Sequence, residues 1–338
     1  MSRILRSTYP DPDLVHLMQR ANQIDWPELE KACRKTLIHR IGGCLFGPEG
    51  GLFEDYARAV AEAGADVDLL DETQAAKRFP AFNFNGLNAL ADHTSGLIDA
   101  QQTIESLKRL IEANGGRIIE NSEVIEMDIS SDPILIETAS NQFLSQHLII
   151  ANGAWAGRLV PELQEHLKVV RQTVGYFSVD KHSADLSQSL PVWAYLGQDE
   201  DDVFYGLPEF RRPGIKAANH LTDTDGDNPD IRVDADSGDL DPVKALLKCR
   251  FNFQIESLID CETCLYTLTP SHNFIIDNHP LNPHVAIGAG FSGHGFKFGP
   301  LTGRLLAELA LNQTTSVNIF NEMRNKFALP IKLHESGA

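Results

Sequence analysis

The sequence predicts a mixed α/β chain of two interleaved domains, an α+β arrangement, and three observations carry that reading. Helical and strand patterns alternate from the N-terminus to Ile150. From Lys168 to Leu268 the pattern is mostly strand and turn, which makes a β-rich insertion between α/β segments. Near the C-terminus, residues 283–287 read as a short buried strand, 288–298 as a glycine-rich turn, and Leu301, Leu305, Leu306 and Leu309 recur at helical spacing. A strand, a glycine turn and a helix start present backbone N–H groups and a positive dipole end to an anion or a polarised carbonyl.

Taken in order, Asp13 is the expected cap of a helix from Leu14 towards Ala21, and residues 27–33 continue the helical signal. A strand pair is expected over 36–46, followed by the Gly47-Pro-Glu-Gly-Gly51 turn. Residues 54–63 and 72–79 read as helices closed by Gly64 and Pro80. Gly96-Leu-Ile-Asp99 leads into the clearest helix, with Asp99 as cap, Ile104, Leu107, Leu110 and Ile111 on one face, and Gly115-Gly116 as the stop. Residues 117–122, 134–138 and 144–150 are expected strands, and the last runs into Ala151-Asn-Gly-Ala-Trp155, a second strand-to-glycine turn. One helix is expected over 243–253, and the acidic loops at 199–202 and 223–230 read as solvated surface.

A chain of 338 residues, 42% hydrophobic and 22% charged, buries a large core and suits two interleaved domains. No run approaches the roughly 18 apolar residues of a membrane span, and the N-terminus lacks a signal-peptide core, so the expected location is the cytoplasm. A formal charge of -18 and a pI near 5.0 oppose nucleic acid and anionic membranes as partners, because both need a basic face. The 5 cysteines are odd in number and dispersed, which argues against a disulfide framework. Cys261-Glu-Thr-Cys264 is a literal C-x-x-C and stays open as a redox or zinc motif. A zinc site wants a second ligand pair, and no metal is expected; a thioredoxin-like pair opens a helix, whereas residues 265–269 look extended.

Gly288, Gly290 and Gly293 formally satisfy G-x-G-x-x-G. A dinucleotide turn also needs a second parallel strand ending in an acidic residue, whereas here the helix runs into a polar tail. The other reading of the glycines is a close-packed turn that holds no ligand. His294 and Lys297 weigh against that reading, since they place polar chemistry where packing alone takes small or apolar side chains.

Cys264-Leu-Tyr266-Thr267, then Phe274-Ile-Ile-Asp277, then Gly290-Phe-Ser-Gly-His-Gly-Phe-Lys-Phe298 closely resemble the C-terminal flavin segment of the monomeric sarcosine oxidase family. That family includes N-methyltryptophan oxidase and lies within the glycine/D-amino-acid oxidase superfamily; the segment order is similar from Arg3 to the C-terminal helix. The resemblance implies an FAD/NAD(P)-binding, glutathione-reductase-like fold with an interleaved β-rich substrate domain. It implies an FAD-binding domain from 1–35, 96–165 and 262–338, and a substrate and catalytic domain from 36–95 and 166–261. The implied cofactor is FAD, joined through a Cys264 thioether to the flavin 8α carbon, with Cys261 an ordinary buried thiol. Cofactor contacts fall on Val124, Gly153, Trp155, Gly290, Phe291, Ser292, Gly293, His294, Gly295, Phe296 and Lys297.

By the same resemblance Arg6 and Lys297 match a clamp for the substrate carboxylate, a bidentate guanidinium plus a point charge. Tyr205, His220, Tyr266 and His294 match a shell over the flavin face, with Trp193, Phe204 and Leu207 available to shape the pocket. Lys216 matches a lysine that promotes oxygen reduction, since a fixed positive charge stabilises developing superoxide, and Arg3 matches a further basic residue beside the ring. The implied reaction oxidises a secondary or N-methyl amino acid to an imine that hydrolyses, with O2 reduced to H2O2. The implied partners are that small substrate and O2, and the implied state is a monomer.

Two departures qualify this expectation. Family members open with a βαβ unit carrying G-x-G-x-x-G, and Arg-x-x-Arg follows it; this sequence starts inside that motif, at Met1-Ser-Arg3-Ile-Leu-Arg6. The chain as written is therefore expected to lack the unit that grips the ADP half of FAD. That leaves either a start assigned too late for a working enzyme or a truncated, non-catalytic remnant with poor FAD retention; a nicotinamide dehydrogenase is a third rival. Ser271-His-Asn273 also stands where the family usually has an acidic residue.

Overall fold

Extended segments, several of them buried on both faces, build the largest element, an eight-stranded sheet. A computed structural model describes residues 2–180, 184–221 and 226–330. Its strands run, edge to edge, Ile255–Leu268, Lys168–Val179, Ile215–Asn219, Val203–Leu207, Val192–Leu196, Gly43–Gly47, Asn88–Asp92 and Val67–Leu70. Chain contacts divide the molecule into two units, and most of this sheet belongs to the first, formed by Met1–Leu110, Arg171–Thr224 and Arg232–Cys264. One sheet face is buried under Phe46, Phe82, Phe177, Trp193, Ile215, Ala217 and Phe251, joined by Val243 and Leu247 from the helix Asp241–Arg250. Of these, Phe46, Phe82, Phe177, Ile215, Phe251, Val243 and Leu247 each contribute about 1.5–3 kcal/mol relative to exposure. Residues one step along each strand therefore point to the opposite face.

A smaller antiparallel sheet in the same unit orders Ser2–Leu5, Gly96–Asp99 and Ile38–Arg40. Its Ile4 and Leu97 pack against Val192 and Leu207 of the large sheet. The strand pair expected over 36–46 is two strands in different sheets: Gly42, at φ 76, turns the chain between Ile38–Arg40 and Gly43–Gly47. The first helix is Pro12–Arg20, and its cap is Asp11 rather than Asp13, because Asp11 accepts from the Asp13 N–H while Pro12 occupies the first turn. A short π-helix at Ala21–Asp25 joins it to Trp26–Cys33. Helices Leu52–Glu62 and Glu72–Arg78 follow, the second opened by an Asp71–Gln74 capping box.

Asp99 caps Ala100–Ala113 as expected, its Oδ1 accepting from the Gln102 N–H at 3.1 Å. The apolar stripe of that helix is not its buried face. Ala100, Thr103 and Ser106 are buried, whereas Ile104, Leu107 and Ile111 are 45%, 37% and 44% exposed.

The second unit comprises Ile111–Val170, Asp225–Ile231 and Leu265–Ala338. Its central sheet places Leu148–Ile150 parallel to Asn282–Ala289, which pairs antiparallel with Ile275–His279. Helix Gly299–Asn312 covers this sheet with Leu301, Leu305, Leu306 and Leu309 buried, as their spacing predicts. A meander of Val124–Asp128, Ile134–Thr138 and Gln142–Ser145 adds Ile134 and Ile136 to a core with Ile150, Leu163, Val285 and Ile287. Residues 117–122 are not a strand, since pairing begins only at Val124. The expected strand 144–150 is two strands, because Ser145 Oγ bonds both the His147 carbonyl and its N–H and turns the chain. In the acidic loop 223–230, positions 223–225 lie outside the described residues. Asp230 is more than solvated surface: it accepts from the Trp155 indole at 2.8 Å and pairs with Arg158. Among the described residues no helix is long and apolar enough to cross a membrane.

Candidate active site

In the first unit, strand register puts the chemistry on the sheet face opposite the aromatic core. Lys216 is the cross-strand partner of Tyr176 on one side and of Leu207 on the other, and Tyr205 partners Ala218. With a period of two, Lys216, Ala218 and His220 share the face of Tyr205 and Tyr176. The Tyr205 and His220 rings stand 6.3 Å apart, edge to face. Glu262 and Cys264, two residues apart on the edge strand, join the same face, since the Tyr176 hydroxyl donates to Glu262 Oε1 at 2.6 Å.

The electrostatics of this face are dominated by cations. Lys216 is 5% exposed, and burial, then the charge of Arg3, pushes its ammonium down to about 8. Burial raises the Cys264 thiol, and the positive charges of Arg3 and Lys216 pull part of that rise back. Burial alone would raise Glu262, yet the Tyr176 hydroxyl and Arg212 hold it below the usual carboxylate range. Arg3 stands on the strand Ser2–Leu5, opposite Ile98. Arg6 follows that strand, in a segment fixed by buried Asp92, which accepts from the Ser7 N–H at 2.9 Å. The Arg6 guanidinium donates to the Thr8 carbonyl and lies 4.4 Å from the Tyr9 ring centroid and 5.6 Å from that of Tyr56.

The strand also answers the C-x-x-C question. Three residues apart on an extended strand, Cys261 and Cys264 point to opposite faces, and Cys261 Sγ lies 3.9 Å from the Ala235 carbonyl on the core side. Among the described residues no group of three or more His, Cys, Asp and Glu side chains could hold a metal ion.

In the second unit, the parallel strands Leu148–Ile150 and Asn282–Ala289 both end in glycine turns, so the 153 and 290 turns emerge at the same end of one sheet. The carboxyl ends of parallel strands are where α/β sheets bind ligands. Gly290, Ser292 and Gly293 all have positive φ, and Ser292 donates its N–H to the Thr267 carbonyl at 2.9 Å. Tyr266 lies against Gly293 so closely that a Cβ there would sit 2.2 Å from its ring. Phe291 covers Gly295, and Phe274 packs against Phe291, His294 and Phe298. His294 Nε2 donates to the His272 carbonyl, while buried Lys297 donates to the His294 carbonyl at 3.2 Å. Phe296 and Lys297 form the short helical turn Gly295–Phe298 before the long helix. Gly153 and Trp155 bound a comparable turn, and Val124 opens its strand beside the unit's core.

Arg3, Tyr205, Lys216, His220 and Cys264 thus gather in the first unit, and Tyr266 with residues 290–297 in the second. Tyr176, Arg212 and Glu262 belong to the first group and escaped sequence reasoning. Only the two-residue spacing of Glu262 from Cys264 hinted at it, whereas Tyr176 depends on a pairing 86 residues away.

The chain matches the family described as FAD dependent oxidoreductase over residues 2–309. It is 31% identical to the monomeric sarcosine oxidase of Arthrobacter sp. (strain TE1826), covering 98% of this chain and 86% of that protein. With the Homo sapiens peroxisomal sarcosine oxidase it shares 28% identity, over 94% of this chain and 83% of the relative. With the N-methyl-L-tryptophan oxidase of Salmonella dublin it shares 27%, over 94% and 85%. Among solved structures, NikD, an unusual amino acid oxidase essential for nikkomycin biosynthesis, superposes with a TM-score of 0.79 at 22% identity, covering 100% of this chain and 88% of that one. Glycine oxidase from Geobacillus kaustophilus gives 0.74 at 17% identity, over 98% and 87%. The fold is thus the α/β FAD-binding fold of amino-acid oxidases, and the chain belongs to the FAD-dependent oxidoreductase family, in its monomeric sarcosine oxidase and N-methyltryptophan oxidase group.

Proposed function

We propose that this chain oxidises a secondary or N-methyl amino acid, sarcosine-like, to an imine that hydrolyses, with O2 reduced to H2O2. The observation that carries the reading is Lys216, an ammonium 5% exposed on the sheet face it shares with Cys264 and pushed down to about 8 by burial and then by Arg3. Burying an ammonium costs several kcal/mol, and a buried cation with a perturbed pKa marks a candidate functional site. The residues also fit FAD in the second unit: Asn152 Oδ1 is buried without a partner, and a Cβ on neighbouring Gly153 would meet nothing within 4 Å.

Bound FAD would supply the two-electron acceptor that oxidises the amine and passes the electrons to oxygen. Cys264 is proposed as its covalent anchor, with the positive charges of Arg3 and Lys216 favouring the thiolate against burial. Lys216 holds a positive charge for oxygen reduction, with Arg3 adding to the field. Arg6 and Lys297 are each proposed as a cationic partner of the substrate carboxylate, the first as a planar fork and the second as a point charge. Tyr205, His220, Tyr266 and His294 orient the amine. Val124, Gly153, Trp155 and residues 290–297 contact the cofactor. The proposed division of labour gives 1–35, 96–165 and 262–338 to the cofactor and 36–95 and 166–261 to the substrate. The protein is proposed to act as a cytoplasmic monomer on its small substrate and O2.

The test is the colour of the purified chain and the fate of that colour in acid. Yellow retained in the acid precipitate, with peroxide released from sarcosine or another secondary amino acid, is the expected result. Colour that stays in the acid supernatant overturns the Cys264 anchor; a protein that takes up no flavin, or no peroxide from any secondary amino acid, overturns the activity.

A further inference from the structure

Lys216, Tyr176 and Glu262 stand on three neighbouring strands, in the order Ile215–Asn219, Lys168–Val179, Ile255–Leu268. Each Glu262 oxygen has a fixed donor: the Tyr176 hydroxyl reaches Oε1 at 2.6 Å, and Arg212 Nη1 reaches Oε2 at 3.0 Å. Arg212 is itself held by Asp260 and by stacking 3.8 Å over the Tyr176 ring. Lys216 Nζ lies 5.8 Å from the centroid of that same ring. The charged and titratable groups acting on Lys216 are Arg3, Arg212, Glu262 and Cys264, and Glu262 is the one that is negative at neutral pH. A carboxylate gripped at both oxygens is pre-oriented and ionised, a sturdier counter-charge than a mobile surface acid.

We propose that Glu262, clamped by Tyr176 and Arg212, is a positioning residue for Lys216: its carboxylate is the counter-charge that keeps the buried ammonium protonated on this face. Without it, burial and the two guanidinium groups dominate at Lys216 and favour the neutral amine. Tyr176 works by orienting Glu262, and Arg212 by fixing both. The consequence for catalysis rests on the assignment of oxygen chemistry to Lys216 made above.

The test follows the acylation of Lys216 across pH by peptide mass spectrometry, in the purified full-length chain. The expected result is a titration midpoint lowered by about one pH unit or more in Glu262→Gln, lowered less by Tyr176→Phe, and largely restored in Glu262→Asp. A midpoint that stays put or rises in both variants overturns the proposal; if Glu262→Gln fails to fold, Tyr176→Phe decides alone. Cofactor reoxidation by O2 in Lys216→Met separates the two claims. A lowered midpoint supports the role of Glu262, and an unchanged reoxidation rate beside it would overturn only the assignment of oxygen chemistry to Lys216.

Discussion

Cys261 and Cys264 leave one strand on opposite faces, the first towards the aromatic core and the second towards Lys216. Three residues of extended chain separate their Cα atoms by about 10 Å, beyond the roughly 7 Å a disulfide spans. The two thiols therefore have separate chemistry. Cys264→Ser is expected to abolish acid-stable yellow colour, and Cys261→Ser to leave it intact at a small cost in core packing. Absorbance of the acid precipitate reads both, and equal loss in the two variants would sink the distinction.

Lys216 makes stability and chemistry pull in opposite directions. Burial, then Arg3, lowers its folded-state value from 10.5 to about 8. Below that pH, folded and unfolded chains both carry the ammonium, and folding bears the full cost of burying it. Between the two values the folded chain binds fewer protons than the unfolded one, so stability rises with pH across that window. Lys216→Met is therefore expected to stabilise the chain near neutral pH by about 1–3 kcal/mol. The gain should vanish in strong alkali, and reoxidation by O2 should slow about 10²- to 10³-fold. Thermal unfolding at several pH values, with stopped-flow reoxidation, measures both. A destabilised Met variant would contradict the electrostatic account.

What the sequence made legible was local. The leucines of Gly299–Asn312 and the Asp99 cap follow from spacing alone, and both are found as read. The glycine turn was legible as a turn because Gly290 and Gly293 carry the positive φ that other residues avoid. Long-range pairing was not legible: residues 36–46 look like a hairpin, yet their strands join different sheets, whose partners are Gly96–Asp99 and Asn88–Asp92. The Tyr176–Glu262 contact was hidden for the same reason. Neither residue is unusual alone, and only the register of a sheet assembled from distant segments brings a hydroxyl to a carboxylate.

The glycine turns differ in what a methyl group would meet. At Gly293, φ is 76 and a Cβ would sit 2.2 Å from the Tyr266 ring; at Gly153, φ is 60 and nothing lies within 4 Å. Gly293→Ala combines strain with a clash and is expected to cost about 2 kcal/mol or more. Gly153→Ala bears only the left-handed backbone penalty, about 1 kcal/mol. Under the proposed cofactor contact, Gly153→Ala should also weaken FAD retention more than it lowers the unfolding temperature of the flavin-free chain. Thermal melts and flavin titrations rank the two, and equal stability losses would contradict this reading of the turns.

Helix Ala100–Ala113 turns its small residues inward and its large ones outward. Ile104, Leu107 and Ile111, spaced by three and four, form a continuous apolar stripe at 45%, 37% and 44% exposure, while Ala100, Thr103 and Ser106 are buried. Water meets that stripe at a cost of roughly 25 cal/mol per Å² of apolar surface. A contiguous patch of this kind recruits hydrophobic dyes and promotes association. Replacing all three by Gln keeps helix propensity nearly unchanged and alters only part-exposed side chains. The triple variant is therefore expected to bind far less anilinonaphthalene sulfonate and to stay soluble at higher concentration, with stability altered by no more than about 0.5 kcal/mol. A dye signal equal to the parent's would mean that the exposed stripe is not what the dye reads. A large fall in unfolding temperature would mean that the three side chains are packed against something in solution.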